Sequence, residues 1–217
     1  MRSASSTALL LMTVLLTATV APAATLLVPS QHPTIRDAIL ASSPGDVILV
    51  APGEYSGDGF RSLTLNGRSV VSEAGSAQTV IDCEGSDEDP HRFVRFTGTG
   101  GTLRGFTVRR GWAYGLPPTE HPGQGGAAFS SGTANVFLED MVFEECGPGV
   151  SFTASPAYLR DCIIRDTRGS GLFLSVSGGR LERSVIERSQ GRAILMVLTQ
   201  NYTIDDCRIV GNVTSGD

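Results

Sequence analysis

Aromatic residues make up only 6% of the 217-residue chain, tryptophan occurs once, and no block of arginine or lysine stands apart from acidic neighbours at a formal net charge of −5. The last two features withhold the electrostatic footprint of a nucleic-acid binder. The nucleophile elbow G-x-S-x-G, a zinc-binding histidine pair and a phosphate-cradling glycine loop with its lysine are all missing. Beyond the N-terminus no apolar run is long enough to span a bilayer. Cysteine is sparse, four residues, which in an exported chain allows two disulfides in three connectivities.

Glycine is abundant, with 26 residues, and short bursts of Val, Ile, Leu and Thr alternate with Gly, Ser, Asn and Asp. That pattern predicts many short strands and an all-β fold. The N-terminus differs. Arg2, the apolar run "ALLLMTVLLTA" and the small residues "APAA" predict a secretory signal peptide over residues 1–23, cut near Ala23 or Ala24. Residues 24–217 then form one domain in a secreted or cell-surface protein. The sequons at Asn201 and Asn212 matter only in a eukaryotic secretory route.

Self-similarity organises the second half. "LRGFTV" at Leu103, "LEDMVF" at Leu138, "LRDCII" at Leu159, "LERSVI" at Leu181 and "IDDCRI" at Ile204 repeat one template. The last three intervals are 21, 22 and 23 residues, and the first is 35 because it carries the insertion "WAYGLPPTEHPGQ". After a glycine-containing turn each unit shows a second apolar pair, Val150 and Phe152, Leu172 and Leu174, Ile194 and Met196, and Phe129 is assigned to the same slot. A period near 22 with two or three strands and no helical stripe predicts a β-solenoid, one repeat per rung. Leu159 and Cys162 are three apart although strict alternation would turn them to opposite faces, so a corner lies between them, with Gly105, Asp140, Asp161, Arg183 and Asp206 as its polar occupants.

Stacked parallel strands place equivalent residues about 4.8 Å apart, so charge is read vertically. The files Arg104, Glu139, Arg160, Glu182, Asp205 and Arg109, Glu144, Arg165, Glu187 alternate in sign, with Asp205 the one break. Opposite charges on adjacent strands attract, so these files, with Asp161 and Asp166 beside them, read as a solvated ladder rather than an active site. Thr107, Val142, Ile163, Val185 and Arg208 form an outward file with an apolar stripe. Cys162 and Cys207 share an inward file two rungs apart, roughly 9–10 Å, beyond the approximately 7 Å limit for bridged Cα atoms. Four free thiols are expected, mostly as small core fillers.

Upstream, Thr34 and Asp37 make a capping-box-like pair ahead of Ile35, Ala38 and Ile39 on one face, and "SSPG" stops the run. This short helix is suited to cover the open end of a coil. The stretch "PTIRDAILASSPGDVILVAPGEY", with "SVVSEAGSAQTVIDCEG", "GFTVRRG" and "GGAAF" after it, resembles the secreted right-handed parallel β-helix proteins of the pectin-lyase-like superfamily, in particular a bacterial branch of mostly unassigned function. The resemblance implies the fold, and for any enzyme of this kind a polysaccharide laid along an outer groove.

The candidate binding residues are Trp112, Tyr114, Glu120 and His121, because the insertion interrupts a regular coil with rings that stack on sugars and side chains that hydrogen-bond them. No catalytic residue is assigned: Asp205 and Asp206 are adjacent but belong to repeat files. No cofactor is expected, although calcium would find oxygen ligands in the acidic turn Asp82, Glu84, Asp87, Glu88 and Asp89. His32 and His91 are read as surface residues without partners. The functional expectation is an exported non-catalytic scaffold that binds a polysaccharide or cell-surface glycan. The alternative is a polysaccharide lyase or glycoside hydrolase acting along an outer groove. The final "IDDCRIVGNVTSGD" starts a rung without an evident cap, so truncation, and further domains or chains at that end, are also expectations.

Overall fold

The computed structural model describes residues 22–133 and 135–213, and the expected signal peptide lies almost wholly outside the described residues. The chain winds into a coil of parallel strands arranged in three files. The first runs Thr25–Val28, Val47–Val50, Arg68–Ser72, Gly101–Arg109, Val136–Glu144, Ala157–Arg160, Gly179–Glu182 and Tyr202–Asp205. The second starts with Gly53–Ser56 and Thr79–Asp82, continues through the far halves of Gly101–Arg109 and Val136–Glu144, and ends in Ile163–Arg165, Val185–Glu187 and Arg208–Val210. The third, a separate sheet, stacks Leu63–Leu65, Val94–Phe96, Ala128–Ser131, Val150–Thr153, Leu172–Ser175 and Ile194–Val197. An all-β parallel coil with one short α-helix is thus what the repeat predicts.

Register confirms the vertical reading. Leu138 pairs with Leu103 and Leu159, Leu159 with Leu181, and Leu181 with Ile204. Leu103, Leu138, Leu159 and Leu181 are at most 1% exposed, whereas Ile204 in the last described rung is 44% exposed, because no further described rung covers it. Beside this file, Val108, Phe143, Ile164 and Ile186 stack in the second and are fully buried. Each such side chain contributes about 1.5–3 kcal/mol on burial.

Corners between the first two files carry the predicted residues in the left-handed region: Gly105 at φ 82°, Asp140 at 49°, Asp161 at 54°, Arg183 at 45° and Asp206 at 49°. One such residue turns the chain without breaking the ladder, since Asp161 N–H still donates to Glu182 O at 3.1 Å and Arg183 N–H to Asp205 O at 3.1 Å. The strain of roughly 1–2 kcal/mol that a side chain suffers there is smaller for Asp, and here the Asp161 carboxylate accepts from Arg183 of the next rung and Asp140 from Ser76. Inside the corner sit small residues, Cys162, Ser184 and Cys207, and Ser184 Oγ accepts the Cys162 N–H at 3.0 Å while donating to Glu182 O at 2.8 Å. All four cysteines are free, three of them buried.

The helix Ile35–Ala41 closes the N-terminal end, with Thr34 as its cap: Thr34 Oγ1 accepts the Asp37 N–H at 3.1 Å. Ile35 and Ala38 are fully buried in the coil's core cluster and Ile39 packs against it. Arg36 fastens the helix by donating to the carbonyls of Asp58 and Arg61, each at 2.7 Å. Among the described residues no helix is long and apolar enough to cross a membrane.

One slot assignment is corrected. Val150, Ser151 and Phe152 pair with Ala128, Phe129 and Ser130, so Ala128 and Ser130 point inward and Phe129 points out of the coil. Phe129 is nonetheless 0% exposed. The inserted loop covers it, creating a small second interior on the outer face of the third sheet. His91 is corrected too: its Nε2 lies 3.0 Å from Asp89 Oδ1, and its carbonyl accepts the Trp112 N–H at 2.8 Å.

Candidate functional site

The insertion leaves the coil at Trp112, makes a 3-10 turn at Pro118–Glu120 and returns into Ala128–Ser131. Its outgoing leg is fixed by an aromatic and ionic cluster. The Trp112 backbone bridges to Gly147, and its ring lies where a Cβ at 147 would come within 2.6 Å, so only glycine admits this approach. Trp112 and Tyr114 meet edge to face with centroids 5.8 Å apart. The Arg168 guanidinium lies 5.3 Å from the Trp112 ring and 5.8 Å from the Tyr114 ring. Asp87 completes the cluster, accepting from Arg168 Nη1 at 2.5 Å and Trp112 Nε1 at 3.0 Å. Hydrogen bonds from Arg168 and then Trp112 hold the Asp87 carboxyl below the usual range, while burial pushes the Tyr114 phenol up.

The returning leg packs separately. His121 lies 4.7 Å from the Phe129 ring, centroid to centroid, and the Arg92 guanidinium lies 4.8 Å from the same centroid. Arg92 donates to the carbonyls of Gly125, Gln124, Glu120 and His121 at 2.7, 2.7, 3.0 and 3.2 Å, tying the loop to the coil. The four residues expected from the sequence thus form two pairs: Trp112 with Tyr114, and Glu120 with His121 around Arg92. Among the described residues the two pairs share no hydrogen bond, ion pair or ring contact.

The loop acts as a strap across the third sheet and leaves a recess on each side. The larger is a groove of about 420 Å3 lined by Tyr114, Gln124, Ser151, Phe173, Gln190 and Arg192 among others. No carboxylate or histidine is among its lining residues. Among the described residues Ser151 Oγ is buried with no hydrogen-bond partner, although Ser151 is an outward residue of the strand and forms part of this groove's lining. The smaller recess, about 190 Å3, holds Ser62, Thr64, Arg92, Arg95, Leu116 and Glu120.

Several acidic side chains of the coil are instead held by arginines. Asp82 is held by Arg109 at 3.0 Å and by Arg110, Glu84 by Arg61 at 3.0 Å, and Asp205 by Arg180 at 2.8 Å. The carboxylates of the acidic turn do not converge: among the described residues no group of three or more His, Cys, Asp or Glu is placed to hold a metal ion.

The model of the right-handed β-helix region matches residues 70–217. The chain belongs to the right-handed β-helix family. No curated protein and no solved structure matches it. In this β-helix the groove residues Ser151, Phe173 and Arg192 escaped the sequence reading because each sits on a different rung. The available signal was vertical: Arg95, Phe129, Ser151, Phe173 and Leu195 are the outward file of the third sheet.

Proposed function

We propose that this β-helix is an exported, non-catalytic scaffold that binds a glycan in the groove between the 112–125 strap and the third sheet. The observation that carries the reading is the composition of the groove: two aromatic rings, Tyr114 and Phe173, beside amides, hydroxyls and one arginine, with no carboxylate or histidine. Rings that stack on sugar faces and neutral groups that exchange hydrogen bonds with sugar hydroxyls suit binding.

Hydrolysis or elimination would need an acid and a base within reach of the same bond. The groove offers no such pair. Export rests on the apolar run and small residues of 1–23.

Glycan-array binding of the chain from residue 24, compared with Tyr114→Ala and Phe173→Ala, tests the site. Binding to a defined glycan set, weakened at least tenfold by each substitution, is expected. Binding indifferent to both, or new reducing or unsaturated ends in a polysaccharide digest, overturns the reading, and the second result favours a lyase or hydrolase. Export is tested by mass spectrometry of the protein recovered outside the cell, whose N-terminus should fall at or next to Ala24.

A further inference from the structure

The smaller recess, on the far side of the strap, has an electrostatic imbalance. Arg92 is only 4% exposed, and its Nε and Nη2 groups are occupied by the four strap carbonyls. Among the described residues its Nη1 has no hydrogen-bond acceptor, and the carboxylate oxygen beside it, Glu120 Oε2, is 3.9 Å away. Arg95, 33% exposed and in register between Thr64 and Phe129, approaches the same oxygen at 3.6 Å, again beyond hydrogen-bond range. Two guanidinium groups therefore share one carboxylate that neither fully engages. Burial, opposed by Glu120 and aided by Arg95, lowers the Arg92 pKa to about 10, so the cation is under-compensated where it sits. Ser62 and Thr64 line the same recess, and among the described residues their hydroxyls make no hydrogen bond.

We infer that this recess binds a tetrahedral oxyanion, a sulfate or phosphate group, with Arg92 Nη1 and Arg95 as the charged donors and Ser62 and Thr64 as hydroxyl donors. Planar guanidinium groups bond such oxygens with charge assistance, and Arg92 is pre-organised because the strap carbonyls fix its plane. The volume of about 190 Å3 accommodates a single such group and its first waters. Glu120 is the competitor: half-exposed on the strap, it occupies part of the positive field and must swing aside. The group could arrive as the free ion or as an ester on a sugar, and the chemistry of recognition is shared.

Isothermal titration with inorganic phosphate, sodium sulfate and glucose 6-sulfate, each at ionic strength matched with sodium chloride, tests the site. Saturable binding in the millimolar range or tighter is expected for at least one probe. A tighter ester assigns the source to a sulfated sugar, and equal or tighter binding of an inorganic ion assigns it to the free anion. Arg95→Gln should weaken binding about tenfold and Glu120→Gln should strengthen it severalfold. Neither removes a hydrogen bond that holds the strap. Absence of saturable heat for all three probes, or any pattern other than these two opposite shifts, overturns the inference. Tyr114→Ala, which disables the proposed glycan groove, should leave oxyanion affinity unchanged, so the two sites fail separately.

Discussion

Arg168 and Asp87, 81 residues apart in sequence, meet in an ion pair of 2.5 Å, and the indole N–H of Trp112 donates to the second oxygen of the same carboxylate at 3.0 Å. Three separate turns of the coil are thereby joined at one surface point, and the strap's outgoing leg hangs from it. Because Arg168 and Trp112 depress the Asp87 pKa, the contribution of this junction is complete above the unfolded carboxyl value of about 3.9 and is lost as pH falls through the lower folded value. Trp112 is the only tryptophan, so its emission reports the junction alone. The spectrum should be constant above pH 4 and shift to the red below it while far-UV circular dichroism still shows a folded coil. Asp87→Asn should abolish that step. A midpoint above pH 4, or an unaltered step in Asp87→Asn, would contradict the assignment.

Glu144 stands in register between Arg109 and Arg165, and Arg165 Nε donates to its Oε2 at 3.0 Å. Cross-strand ion pairs contribute about 0.2–1 kcal/mol each and like charges oppose by a similar amount. Glu144→Arg converts two attractive neighbours to repulsive ones and should cost about 1–2 kcal/mol in urea denaturation at low salt. Glu144→Gln should fall between it and the wild type. Raising the salt to 1 M should shrink the Arg penalty, because exposed charges are then screened within about 3 Å. A salt-independent penalty would mean that backbone propensity, not charge, is the cause.

What the sequence revealed and what it hid follow from the geometry of stacking. A parallel coil repeats each position on the next rung, so the Leu138, Leu159, Leu181 file and the sign alternation of Arg160 with Glu139 and Glu182 are visible as a period. The strap breaks that logic. Phe129 follows a glycine-rich turn as the inward pairs of the other rungs do, yet the loop supplies a second apolar environment outside the coil. The small residues Ala128 and Ser130 carry the signal, since Ser130 stacks between bulky Phe96 and Phe152 and Ala128 between Val94 and Val150. Groove members such as Ser151, Phe173 and Arg192 form no local motif, and only a register could assemble them. The capping helix was legible because Thr34, Asp37 and the apolar face act within a few residues.

Cysteine reactivity should divide three to one. Burial pushes the thiols of Cys146 and Cys162 up to about 12 and raises Cys83 as well, so at neutral pH these are protonated and shielded. Cys207, in the last described rung, is only partly buried. Reaction of the folded protein with Ellman's reagent at pH 8 should modify at most one thiol promptly, and denaturation without reductant should release all four. Two or fewer thiols after denaturation would reveal a disulfide and dislodge the Cys162 and Cys207 register.

Leu159 and Ile204 occupy the same slot of the same inward file, two rungs apart, and differ in what covers them: 1% against 44% exposure. Truncation of a buried leucine removes transfer energy and leaves a cavity, for about 2–5 kcal/mol. An exposed isoleucine loses a fraction of its apolar area and leaves no enclosed void, so Ile204→Ala should cost less than about 1 kcal/mol. Chemical denaturation of Leu159→Ala and Ile204→Ala in the same background measures the contrast directly. If both proved equally costly, an additional covering layer would have to lie over Ile204 in solution; if both proved mild, Leu159 could not be in the core and the rung alignment would be wrong. A large difference in the stated direction requires that both residues share the inward file and that Ile204 be less covered than Leu159.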